Sequence, residues 1–144
     1  MFKHLLIPTD GSDASERAIR KALELASALK ARVTGLHVIR SVHLVGGYDL
    51  SEEPRPAIEV ELRAAARKYL GVIEQGARRL DVPVEALVVI AEDPWQEIIQ
   101  VARSSGCDLI VMASHGRRGV KAVLLGSETH KVLTHSGIPV LVLR

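Results

Sequence analysis

Small and polar residues cluster between Ala113 and Thr129. The run Ala113-Ser114-His115-Gly116-Arg117-Arg118-Gly119 is followed, after a mostly apolar stretch, by Gly126-Ser127-Glu128-Thr129. The chemistry this suits is holding phosphate. Glycines let backbone N–H groups approach phosphate oxygens with no Cβ in the way. A helix start adds free N–H groups and a dipole that attracts an anion. Gly126-Ser127 opens the last helical pattern and supplies both, the Ser127 hydroxyl adds a donor, and Arg117 and Arg118 bring charge to the rim. Taken singly, Gly116 and Gly119 turn a chain and Ser127 caps a helix. Grouped behind an apolar strand, they read as an anion site. The cluster is no P-loop, because no Gly-Lys-Ser/Thr follows, and Gly-x-Gly-x-x-Gly is absent.

Other candidate groups carry less. Asp10 is either a ligand group or the first residue of an Asp-Gly turn, and spacing leaves the two readings even. Ser127 and His130 are one helical turn apart, but no orienting acid completes a hydrolase triad. His130 and His135 do not share a helix face as metal ligands would, and Cys107 stands alone, so no structural metal site is expected. Cys107 reads as a small core residue and Trp95 as a packing residue.

The elements that must position this cluster follow from periodicity. Five short apolar runs alternate with four helical patterns, which indicates a doubly wound α/β domain with a parallel sheet. The runs are His4 to Thr9, Val33 to Ile39, Val84 to Ile90, Asp108 to Ala113 and Ile138 to Leu143. Ser12 is placed to cap a helix carrying Ala18, Ala22, Leu25 and Leu29. A longer helix has Leu62, Ala66, Tyr69, Ile73, Ala77 and Leu80 on one stripe. Asp93-Pro94 offers an N-cap followed by proline at the first helical position, and Gly106 a stop. A last helix is expected from near Ser127 to near Gly137. The Arg40 to Pro56 stretch breaks the pattern and is the one long loop. The first and fourth runs are the most apolar and are expected side by side at the sheet centre. Ligands of such sheets bind beyond the strands' carboxyl ends, where strand order reverses.

Bulk properties exclude several roles. The 144 residues suffice for one domain over residues 1–144. With 47% hydrophobic and 25% charged residues, the chain is globular. A net charge of +2 and 3% aromatic residues argue against a nucleic-acid partner. No apolar run is long enough to cross a bilayer, no signal peptide is visible, and one cysteine fits a reducing compartment, so a cytoplasmic protein without a membrane partner is expected.

The chain resembles the universal stress protein family from Pro8-Thr9-Asp10-Gly11-Ser12 to Pro139-Val140-Leu141-Val142. The most specific match is to the family's nucleotide motif, Gly-x-x-Gly-x9-Gly-Ser/Thr. Here it reads Ala113-Ser114-His115-Gly116, nine residues, then Gly126-Ser127, with Ala113 in place of the first glycine. An alanine there meets trouble only if its φ is positive. The resemblance implies an adenine nucleotide alpha hydrolase-like sheet in the order 3-2-1-4-5, with ATP across strands one and four; Mg²⁺ is expected with ATP because phosphates recruit it. By the same resemblance Pro8, Thr9 and Asp10 border the adenosine, Val38 packs on adenine, and Met112 and Ala113 line the ribose side. Gly116, Arg117, Gly126, Ser127, Glu128 and Thr129 surround the phosphates, Glu128 through its backbone N–H rather than its side chain. The expected role is a nucleotide-dependent sensor or regulator, with slow ATP hydrolysis allowed. The rival reading is a nucleotide-free dimer acting through protein contacts. The closing strand, Val140 to Leu143, is expected to pair two copies as a homodimer.

Overall fold

The computed structural model describes residues 1–41, 55–116 and 124–144, with the side chains of 55 and 56 outside that description. The loop expected at 40–56, and Arg117, fall largely or wholly outside the described residues. In chain order the elements are β1 (His4–Pro8), α1 (Asp13–Leu29), β2 (Arg32–Arg40), α2 (Arg55–Arg79), β3 (Val84–Ala91), α3 (Pro94–Ser104), β4 (Leu109–Ala113), α4 (Ser127–His135) and β5 (Val140–Leu143). All five strands are parallel and lie in the order β3-β2-β1-β4-β5, as expected.

Strand burial explains that order. The first four residues of both β1 and β4 are buried, whereas β5 is only half-buried throughout. Strands covered on both faces take the middle and leave the edges to the rest. The period of two divides their side chains between two cores. Leu5, Ile7, Val33, Leu109 and Val111 pack with α1 and α2, and Leu6, Leu36, Ile110 and Met112 pack with α3 and α4.

Local chemistry sets the helix ends. The Ser12 side chain accepts from the Ser15 amide at 3.1 Å, and Asp13 and Glu16 place negative charge in the first turn of α1. Helix α1 ends at Lys30, whose φ of 53° is left-handed. The buried stripe of α2 is Ala66, Leu70, Ile73 and Ala77. Leu80, expected on that stripe, is 39% exposed because α2 stops at Arg79. Truncating the fully buried Ile73 to alanine would cost about 2–5 kcal/mol. Asp93 occupies the N-cap of α3, but its side chain makes no capping bond. Glu128 replaces it, accepting from the Trp95 amide at 2.8 Å.

A polar group crosses the amino-terminal end of the sheet. His4 Nε2 and Thr34 Oγ1 are 2.7 Å apart, and Thr34 Oγ1 donates to Glu85 Oε1 at 2.7 Å. Thr34 has one hydroxyl proton, so Nε2 carries the imidazole proton. His4 Nδ1 is buried without a hydrogen bond of good geometry. Burial, reinforced by Arg32, holds the His4 pKa below its ordinary value. Burial also pushes the Cys107 thiol up to about 11, so it is an inert core residue, as expected.

Candidate functional site

The chain leaves β1 towards β2 on one side and leaves β4 towards β5 on the other, so strand order reverses between β1 and β4. The turn after β1 forms one wall of the crevice there. Thr9 is buried; its amide donates to the Leu36 carbonyl at 2.8 Å, and its Oγ1 accepts from Ser15 Oγ at 2.9 Å and the Gly11 amide at 3.2 Å. Asp10 Oδ1 accepts from the Ser12 amide at 2.9 Å, which is the local bond of an Asp-initiated turn.

Two side chains from behind brace this wall. The His37 Nδ1–H donates to the Thr9 carbonyl at 2.8 Å. The Tyr69 ring meets His37 edge-on, with centroids 5.2 Å apart and planes at 69°. Tyr69 also occupies the place a Cβ would take at Gly11, whose φ is +76°. Glycine is needed there for both reasons.

The opposite wall is the cluster that follows β4. Ser114 is buried, and its Oγ lies 2.8 Å from His115 Nδ1. The Gly126 amide donates to the Ser114 carbonyl at 2.7 Å, and Thr129 Oγ1 donates to the Ala113 carbonyl at 2.9 Å. Thr129 thus ties α4 to β4 with its hydroxyl. A Cβ on Gly126 would lie 3.1 Å from His115 Cα and 3.4 Å from the Ser114 carbonyl oxygen. Glycine at 126 lets α4 begin flat against the Ser114–Gly116 backbone.

Helix α4 starts unlike α1. Gly126 is its N-cap, so no side chain caps it, and Ser127 is the first helical residue rather than the cap. The first intrahelical bond runs from the His130 amide to the Gly126 carbonyl at 2.9 Å. The amides of Ser127, Glu128 and Thr129 therefore have no acceptor within the helix. Such a helix start attracts an anion.

The two walls meet at Asp10 and Gly116. Asp10 Oδ2 stands where a Cβ of Gly116 would be, so a side chain at 116 would displace the carboxylate. One oxygen of Asp10 makes the turn and the other faces the cradle. Ala113 has no positive φ, so its methyl group adds no backbone strain.

Among the other expected site residues, Pro8 ends β1, while Val38 is half-buried and Met112 buried against the core beneath α3 and α4. The Glu128 carboxylate is engaged with Arg40 Nη2 at 2.9 Å and the Trp95 amide at 2.8 Å. His37, Tyr69 and Arg40 were not anticipated. Strand alternation was the available signal for His37, since it places His37 on the face opposite Val38.

The model of the universal stress protein family matches residues 1–144. Among curated relatives, the universal stress protein YxiE of Bacillus subtilis is 34% identical, covering 100% of both chains. The universal stress protein MJ0577 of Methanocaldococcus jannaschii is 30% identical, over 100% of this chain and 96% of its own. The solved structure of MJ0577 superposes with a TM-score of 0.83 over 99% of this chain and 96% of that one, at 32% identity. A universal stress protein from Archaeoglobus fulgidus, solved in complex with dAMP, shares the fold at a TM-score of 0.68 and 18% identity, over 100% of this chain and 98% of that one.

Proposed function

This chain belongs to the universal stress protein family, and from that premise we propose that it binds ATP at the β1–β4 switch point. The observation that carries the reading is the uncapped start of α4, held by Gly126 against the Ser114–Gly116 backbone. The amides of Ser127, Glu128 and Thr129 face the phosphates there, and the Ser127 hydroxyl adds a donor. Gly116 leaves room for close approach. Asp10 offers an acceptor to the ribose or adenine, Val38 an apolar surface for the base, and Met112 and Ala113 the ribose side. The Archaeoglobus protein solved with dAMP speaks for what the fold can hold; the residues of this chain carry the proposal.

The fit to ATP rests on glycine at each point of close approach and an ordinary φ at Ala113. Mg²⁺ enters with the phosphates, whose oxygens recruit it. The hydroxyls of Thr9 and Thr129 are committed to internal bonds, so these two side chains shape the site rather than transfer a group. We read the protein as a nucleotide-dependent regulator of the stress response, with hydrolysis slow at most. Two copies pair along the edge strand β5.

Calorimetric titration of the parent and Gly126→Asp with ATP, AMP and cyclic AMP tests the reading. A carboxylate at 126 would meet the Ser114–Gly116 backbone and repel phosphate. ATP affinity is expected to fall by at least ~100-fold, on the scale of an unpaired like charge in a binding site. Equal ATP binding by the two proteins would refute the placement of the phosphates.

A further inference from the structure

Glu128 poses an electrostatic problem for the site just proposed. It is the second residue of the uncapped helix, directly after Ser127, and its side chain is 26% exposed. A carboxylate beside a phosphate cradle repels the ligand, and partial burial weakens solvent screening. The structure holds that charge in a defined place. Arg40, the last residue of β2, reaches to α4 and puts Nη2 2.9 Å from Glu128 Oε1. The other oxygen accepts from the Trp95 amide in the first turn of α3, at 2.8 Å. Lys131 stands 3.9 Å from Oε1 and is more exposed, a weaker counter-charge.

We propose that Arg40 is a specificity-determining residue that masks Glu128, and that this masking lets the cradle accept multiply charged phosphates. The inference rests on the reading that the cradle takes the nucleotide's phosphates. Arg40 and the α3 amide neutralise the carboxylate in place; Arg40 does not itself hold the ligand. A phosphate-binding arginine would present its fork to the anion, whereas here a carboxylate of the same protein holds one arm of it, Nη2. The pair also ties the end of β2 to the start of α4, across the carboxyl end of β1.

Masking and direct ligation differ in a double-mutant cycle. Arg40→Gln unmasks Glu128, so affinity falls with ligand charge: adenosine unchanged, AMP slightly weaker, ATP weaker by about five- to twentyfold at low salt. Glu128→Gln added to Arg40→Gln removes the repulsion and restores ATP affinity to within about threefold of the parent. Both positions are partly exposed, and thermal melts establish that the variants stay folded. If the double variant binds ATP as weakly as Arg40→Gln, Arg40 is a direct ligand and masking is wrong. If Arg40→Gln binds ATP like the parent, or loses adenosine and ATP affinity equally, masking is also wrong. A parent that binds no nucleotide overturns the binding reading and the masking with it, and that outcome is distinct from the other two.

Discussion

At the scale of residues, the site depends on a few positions where a side chain is excluded or its charge is fixed. Gly116 is excluded from carrying a Cβ by Asp10, so Gly116→Ala should weaken ATP binding by pushing the carboxylate out of position. Ala113 has ordinary strand geometry, so Ala113→Gly should leave ATP affinity within about threefold, with a small loss of stability from the added backbone freedom. Calorimetry and a thermal melt check both. The motif residues were legible because small residues at fixed spacing need no tertiary knowledge. The roles of His37 and Tyr69 were not, because their contact joins β2 to α2 and is made only when both pack behind Gly11. Asp93 is the N-cap as expected, but its side chain makes no capping bond, for a related reason. A carboxylate 33 residues away took the amide that local chemistry offered to Asp93.

At the scale of elements, the helix starts divide into capped and open. Ser12 closes α1, so Ser12→Ala should destabilise the fold by about 1 kcal/mol in chemical denaturation, without the phosphate-specific loss expected at α4. Continuous apolar runs made β1 and β4 legible as central strands, since each is apolar on both faces. The end of α2 was less legible: Leu80 continues the helical stripe in sequence, yet the chain has already turned at Arg79. His4 gives the strands a pH dependence at the end of the sheet remote from the cradle. Its pKa is lowered on folding by burial and by Arg32, against the opposing pull of Glu85, Asp108 and the Ser105 backbone. The unfolded chain therefore binds more protons, and the stability from neutral His4 is present above its ordinary value of 6.5 and lost as pH falls below it. Asp108 acts at lower pH. Burial pushes its carboxyl up, but bonds from the His4 and Lys3 amides, with smaller contributions, bring it below 3.8. Urea denaturation should show the parent losing stability from pH 7.5 to pH 5, with a flatter slope in His4→Gln; equal slopes would mean that His4 is not the titrating group.

At the scale of the molecule, the strand order produces the crevice and the crevice gathers the chemistry. Residues from β1, β2, β4 and α4 meet because sequence-distant elements share the reversal point. Alternating periods revealed the class of sheet and the two most apolar runs its central pair, while the full order became legible through the family resemblance. Nuclear magnetic resonance of the backbone amides during ATP titration tests the central claim most directly. The account predicts the largest, saturable shifts at Gly116, Ser127, Glu128 and Thr129, with Asp10 and Gly11 following and residues around His4 unmoved. No shifts at millimolar ATP, or shifts confined to the His4 end of the sheet, would contradict it.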